Sequence, residues 1–169
     1  MKLIKVGAGV LNQTPLDWDG NRDRIIAAID AAKQRGINVL CLPELCISGY
    51  GCEDAFYSPG VQEMALRVLH EIVPASRGII ASVGLPLLHR GGIYNVAALM
   101  ADGVLLGMVG KQNLAGEGLH YEPRWFKPWP ESVQSTYEFE EQEYPVGSLL
   151  FNCGGVRIGC LLYTSDAAD

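Results

Sequence analysis

The sequence has no long hydrophobic run, no excess of positive charge and no histidine cluster. No apolar stretch approaches the ~20 residues needed to cross a bilayer, so a membrane-spanning helix is not expected. Lysine and arginine number 13 against 19 acidic residues, a net charge of −6. Nucleic acid and anionic membrane both favour basic patches and are poor partners for such a chain. His70, His89 and His120 are isolated, which leaves a Ser-His-Asp triad without support. The five cysteines, Cys41, Cys46, Cys52, Cys153 and Cys160, have no nearby histidine, and no metal site is expected. Cys41 lies inside an apolar run and reads as a core thiol. The "NCGG" turn lacks a phosphate-loop lysine. An odd cysteine count and an N-terminus that reads as a first strand, not a signal peptide, point to a cytoplasmic protein with reduced thiols. There is no internal repeat and no low-complexity tract.

What is present suits one domain. The 169 residues are 49% hydrophobic and 19% charged, enough apolar surface for a core. "KLIKVGAGVL" reads as a strand. "RDRIIAAIDAAKQRG" places Ile25, Ile26, Ile29 and Ala32 on one helix face, with Asn21 as its cap and Gly36 just past its end. "INVLCLPE" resembles a strand buried on both faces and stopped by Pro43. Together these make a βαβ unit. "LCISGYGCEDAFYSPG" reads as a loop, "VQEMALRVLHEIV" as a helix and "GIIASVGLPLLHRGG" as a strand and turn. "IYNVAALMADGVLLGMVGK" reads as two strands joined at Ala101-Asp102-Gly103. Residues 112–145 show little periodicity and read as a surface excursion. "VGSLLFNCGGVRIG" reads as a second hairpin turning at Asn152, Gly154 and Gly155. The pattern is α/β with mixed strand directions.

Three residues could carry chemistry. Glu44 directly follows a buried strand, where ligand sites of α/β sheets gather, and a carboxylate there suits general-base work. Lys111 also ends an apolar strand and could serve as a fixed cation for an oxyanion. Read alone, Glu44 could equally be a solvated strand-end residue, and a lone lysine such as Lys111 after a strand is usually solvated. Glu122, among aromatics in "LHYEPRWF", reads by itself as a surface carboxylate paired with Arg124.

Taken together these segments resemble the nitrilase superfamily. "LPELCISGYG" followed downstream by "GKQNLAGEGLHYEPRWFKPW" is similar to the N-terminal glutaminase domain of the glutamine-dependent NAD synthetase family. "GVLNQTPLDWDGNRDRI" and "VGLPLLHRGGIYNVAALMADG" extend the likeness over roughly residues 4–159. The resemblance implies a four-layer α-β-β-α sandwich and a Glu-Lys-Cys triad. Glu44 is then the general base, Lys111 the oxyanion cation, and Glu122 a further carboxylate that positions catalytic groups or substrate. It implies glutamine as substrate, with ammonia passed to a C-terminal synthetase domain. That domain uses ATP and magnesium to amidate nicotinic acid adenine dinucleotide; the glutaminase domain itself needs no cofactor. Homo-oligomers are implied as well.

The chain departs from that pattern at its end. The family nucleophile would fall at about position 163, where this sequence has Tyr163. Cys160 lies three residues earlier, and on a strand an odd shift reverses the face, so Cys160 is not expected to replace it. Residues 1–159 are accordingly read as a partial carbon-nitrogen hydrolase domain, an incomplete sandwich. The tail "CLLYTSDAAD", residues 160–169, resembles a translated sequencing adapter and is read as non-native. The synthetase domain is not in this sequence. The expectation is a fragment that is inactive by itself. Two alternatives share the fold: a stand-alone amidase and a non-catalytic interaction domain. The "GEGLHYEPRWFKPWP" excursion argues against the first, and the presence of both Glu44 and Lys111 mildly against the second.

Overall fold

The computed structural model describes residues 3–116 and 121–159. A parallel pair, β1 (Val6–Ala8) and β2 (Val39–Cys41), flanks α1 (Trp18–Gln34), giving the expected βαβ unit. The helix begins earlier than the sequence suggests. Asp17 caps it by accepting from the Gly20 amide, while Asn21 is fully buried in the first turn. There the Asn21 amide donates to Thr14 O and Ile47 O, tying the entry loop to the segment after β2. Its work is therefore loop bridging rather than capping. Ile25, Ile29 and Ala32 are buried as the periodicity requires, and Gly36 takes a left-handed φ of +66° after the last turn.

The helix α2 (Pro59–Ile72) follows a kinked 3-10 segment, Tyr50–Tyr57, where the sequence shows only a loop. β3 (Ile80–His89), β4 (Gly92–Ala101) and β5 (Val104–Gly110) then form an antiparallel meander. The β4–β5 turn has Asp102 and Gly103 both at positive φ, as a two-residue hairpin demands. The excursion is more ordered than expected. It contains β6 (Gln134–Phe139) and β7 (Gln142–Gly147), and β7 joins β5 in parallel. The alternating Tyr137, Phe139, Tyr144 and Val146 that pack there are interleaved with Glu and Gln, which masks the strand period. The resulting seven-stranded sheet runs β1-β2-β3-β4-β5-β7-β6.

Strand alternation sorts the core. Ala81, Val83, Leu85 and Leu87 of β3 and Val96, Ala98 and Met100 of β4 join α1 and α2 in one cluster. On the opposite face Leu99 and Val109 meet Phe151, from the hairpin β8 (Leu150–Cys153) and β9 (Val156–Gly159). Helices, main sheet and a second small sheet are thus three successive layers of the α-β-β-α type. The second sheet does not bury β2. Cys41 is exposed, which corrects its reading as a core thiol and β2's reading as buried on both faces; only Leu40 of that strand is fully covered. Cys46 and Cys52 are the buried thiols among the described residues; burial pushes both pKa values up, that of Cys46 to about 12, which disfavours the reactive thiolate.

Candidate active site

Glu44, Lys111 and Glu122 come together although they are far apart in sequence. Glu44 sits in the turn after β2, where the chain folds over β3. Ile47 N donates to Gly84 O at 3.1 Å, closing that turn onto the strand. Gly84 makes the approach possible: a Cβ there would lie 2.2 Å from Leu45 N and 2.9 Å from Glu44 Cα. Leu45, the next residue, is fully buried with φ +51°, an uncommon left-handed conformation for a leucine. Local strain of this kind persists only where the surroundings over-determine it, and it clusters at functional sites.

Lys111 follows β5. Its amide donates to Asn95 O at 2.8 Å, continuing the β4–β5 ladder, so Lys111 and Asn95 face each other across the two strands. The Lys111 side chain is 1% exposed, and so is that of Glu122; Glu44 is 28% exposed. Lys111 Nζ lies 2.7 Å from Glu44 Oε1 and 2.9 and 2.8 Å from the two oxygens of Glu122. A buried ammonium needs this kind of pairing, because uncompensated charge in the interior is very costly. An ammonium has three protons, so two carboxylates leave it capacity for one more acceptor.

Glu122 opens a short 3-10 turn, Glu122–Arg124. Its Oε2 accepts from Ala115 N at 2.7 Å and its Oε1 from the Tyr50 hydroxyl at 3.0 Å. Burial and the neighbouring Glu122 charge push the Tyr50 phenol above its ordinary pKa, so it remains a protonated donor. The reading of Glu122 as a surface carboxylate paired with Arg124 is therefore corrected. Arg124 instead grips Asp54, with two contacts of 2.8 Å, and Trp125 Nε1 adds a third at 2.9 Å. This clasp fastens the segment after Glu122 to the 3-10 segment that begins with Tyr50.

Two further residues of the site carry little signal in the sequence. Tyr50 lay in an apparent loop. Asn95 stands in the apolar run "IYNVAALM", where a lone amide is the only signal. Its Nδ2 donates to Glu44 Oε1 at 2.6 Å. Cys160 and Tyr163, on which the expectation of a missing nucleophile turns, lie outside the described residues, as does His120. Beside the site, a groove of about 390 Å³ runs between Leu88, Ile93, Pro123 and Lys127; none of the three charged site residues lines it. Among the described residues no helix is long and apolar enough to cross a membrane.

The chain and its fold are similar to those of known proteins. The solved structure of a glutamine-dependent NAD(+) synthetase from Cytophaga hutchinsonii superposes with a TM-score of 0.89 at 44% identity, covering 92% of this chain and 27% of that one. The glutamine-dependent NAD(+) synthetase of Homo sapiens is 39% identical over 138 residues, 80% of this chain and 20% of its own length. This chain thus spans about a fifth of the curated relatives it matches. An amidase from Nesterenkonia sp. shares the fold, with a TM-score of 0.64 at 22% identity over 83% of this chain and 53% of that one. The carbon-nitrogen hydrolase family model matches residues 5–161, and the chain belongs to that family.

Proposed function

We propose that Glu44, Lys111 and Glu122 are the base and oxyanion side of an amide-hydrolysing centre, and that the chain is the glutaminase part of a glutamine-dependent NAD synthetase. The observation that carries this reading is the Lys111 ammonium, buried and shared between carboxylates brought in by two separate segments. Relatives of 38–44% identity that are named as such synthetases support it.

The chemistry follows from the groups. A thiolate attacks the side-chain amide carbonyl of glutamine after Glu44 has taken the thiol proton. Charge develops on the carbonyl oxygen, and the remaining proton of the Lys111 ammonium is placed to hold it. Glu44 returns its proton to the departing ammonia, then takes one from the water that hydrolyses the thioester to glutamate. Glu122 pairs with the ammonium and aims it. ATP and magnesium, and the amidation of nicotinic acid adenine dinucleotide, belong in this reading to the larger remainder that the relatives possess. Glutamine, that remainder and a second copy of the protein are the implied partners, and the cytoplasm the implied setting. The family resemblance puts the nucleophile at about position 163, a tyrosine in this sequence, and on that ground the chain by itself is proposed to be inactive.

Two measurements test this. The 169-residue chain should release no ammonia from glutamine above background; release that disappears in Glu44→Gln would overturn the proposed inactivity. Residues 5–159, grafted in place of the matching segment of the Cytophaga hutchinsonii synthetase, should sustain glutamine-driven NAD synthesis. Glu44→Gln and Lys111→Met in that graft should abolish it while leaving ammonia-driven synthesis intact. A graft that makes NAD from ammonia but never from glutamine would overturn the glutaminase reading.

A further inference from the structure

Asn95 is fully buried in β4, on the face of the sheet that carries Lys111. Its Nδ2 and the Lys111 ammonium converge on the same atom, Glu44 Oε1, at 2.6 and 2.7 Å. A carboxylate can only accept, so the nitrogen end of the amide must be the end that faces Glu44. The other end, Oδ1, is buried and has no donor among the described residues. An amide that spends one end on Glu44 and leaves the other unsatisfied is costly at a position flanked by apolar strand neighbours. The arrangement makes sense as a device aimed at Glu44.

We propose that Asn95 is a positioning residue: with Lys111 it pins Glu44 Oε1, which leaves Oε2 as the oxygen that exchanges the proton. The activity part of this inference rests on the glutaminase reading; the hydrogen bond does not. Two donors on one oxygen fix the rotation of the carboxylate about its terminal bond, which is otherwise broad and soft. They also make the two oxygens unequal, since the doubly bonded one is the poorer base. The groups that face Glu44 are Lys111 after β5 and Asn95 from β4, with Tyr50 and Glu122 reached through the same network. Asn95 is the neutral member, and it adds direction without adding charge.

The test has two arms. In the nitrogen–proton spectrum of the full 169-residue chain, the Asn95 side-chain amide should be shifted and protected from exchange, and Glu44→Gln should move it more than any other side-chain amide. An Asn95 amide indifferent to Glu44→Gln overturns the proposal. In the synthetase graft, Asn95→Ala and Asn95→Ser should lower glutamine-driven kcat by about 100-fold, the scale of general-base assistance, with KM for glutamine little changed. Ammonia-driven synthesis should be untouched. Asn95→Asp should move the acid limb of kcat/KM to higher pH, because a second carboxylate beside the base retains a proton. An unchanged acid limb with equal losses of glutamine- and ammonia-driven synthesis means a merely architectural asparagine and overturns the proposal, as does failure of all three variants to fold. A graft with no glutamine-driven activity even before substitution counts against the glutaminase reading alone, and the spectroscopic arm then decides.

Discussion

Lys111 and Glu122 form an ion pair at 2.8 Å with both side chains withdrawn from solvent. Lys111 follows β5 and Glu122 opens the short 3-10 turn Glu122–Arg124, so the pair both neutralises the ammonium and fastens that turn to the end of β5.

Breaking the pair from one side should be more damaging than removing it. Lys111→Met leaves Glu122 buried with, among the described residues, only the Ala115 amide and the Tyr50 hydroxyl as donors to its carboxylate. A cost of about 3–5 kcal/mol is expected for a buried charge stripped of its partner. The double change Lys111→Met with Glu122→Gln should recover part of it. A double-mutant cycle by urea unfolding reads this coupling, and strictly additive losses would show that the pair holds nothing together.

Gly84 is the steric condition for the site. A methyl group at 2.2 Å from Leu45 N cannot be accommodated by a side-chain rotation, because the obstacle is backbone. Gly84→Ala should destabilise by roughly 1–3 kcal/mol, the usual range for overpacking, and lift the Glu44 turn from β3. Gly60→Ala makes the control. That residue lies near the start of α2 and a Cβ there meets nothing closer than 3.8 Å, so thermal unfolding should be unchanged or slightly raised. Equal effects from the two substitutions would remove the steric argument.

How much of this was legible beforehand differs from residue to residue. Glu44 and Lys111 stand out because each ends an apolar strand, and strand ends are where α/β sheets expose function. Glu122 does not stand out. It lies in a stretch without period, and its neighbour Arg124 offers a plausible surface partner in sequence while the real partner is supplied by the fold. Asn21 suits a cap by residue type, but burial gives its amide a tertiary role. Strands β6 and β7 escaped because their inward residues are aromatics separated by acids and amides. The pairing of β7 with β5 is a long-range fact that no local window contains.

Asp54 should behave as a latch for the segment that contains Glu122. Hydrogen bonds from Arg124 and then Trp125 hold its carboxyl well below the usual range, at about 2. Its folded pKa is depressed, so the latch is fully formed above the ordinary carboxylate range and is lost as pH falls toward about 2. Asp54→Asn should increase hydrogen exchange at the Trp125 and Phe126 amides, both of which donate to Glu122 O, and alter Trp125 fluorescence. Unchanged exchange at both amides would mean that Arg124 and Asp54 are paired without consequence, as many exposed ion pairs are.

Histidine should set the stability slope near neutrality. His70, on α2, packs against Phe139 at a centroid distance of 4.6 Å and against Tyr144 at 5.8 Å. Burial holds its pKa below the ordinary 6.5, a trend that Glu140 opposes in part. His89, beside Trp129 and Ser135, is lowered for the same reason, reinforced by Arg90. The unfolded chain therefore binds protons more readily than the folded one just below pH 6.5. Stability from these sites is complete above that value and declines as the pH falls through it toward the depressed folded values. Urea midpoints at about pH 7.5 and about pH 5.5 should show the loss, since this window brackets ordinary histidine titration. His70→Gln and His89→Gln should each flatten the slope, and the double variant should flatten it most. A double variant that retains the full slope would place the acid sensitivity elsewhere, since Asp54 does not titrate in that interval.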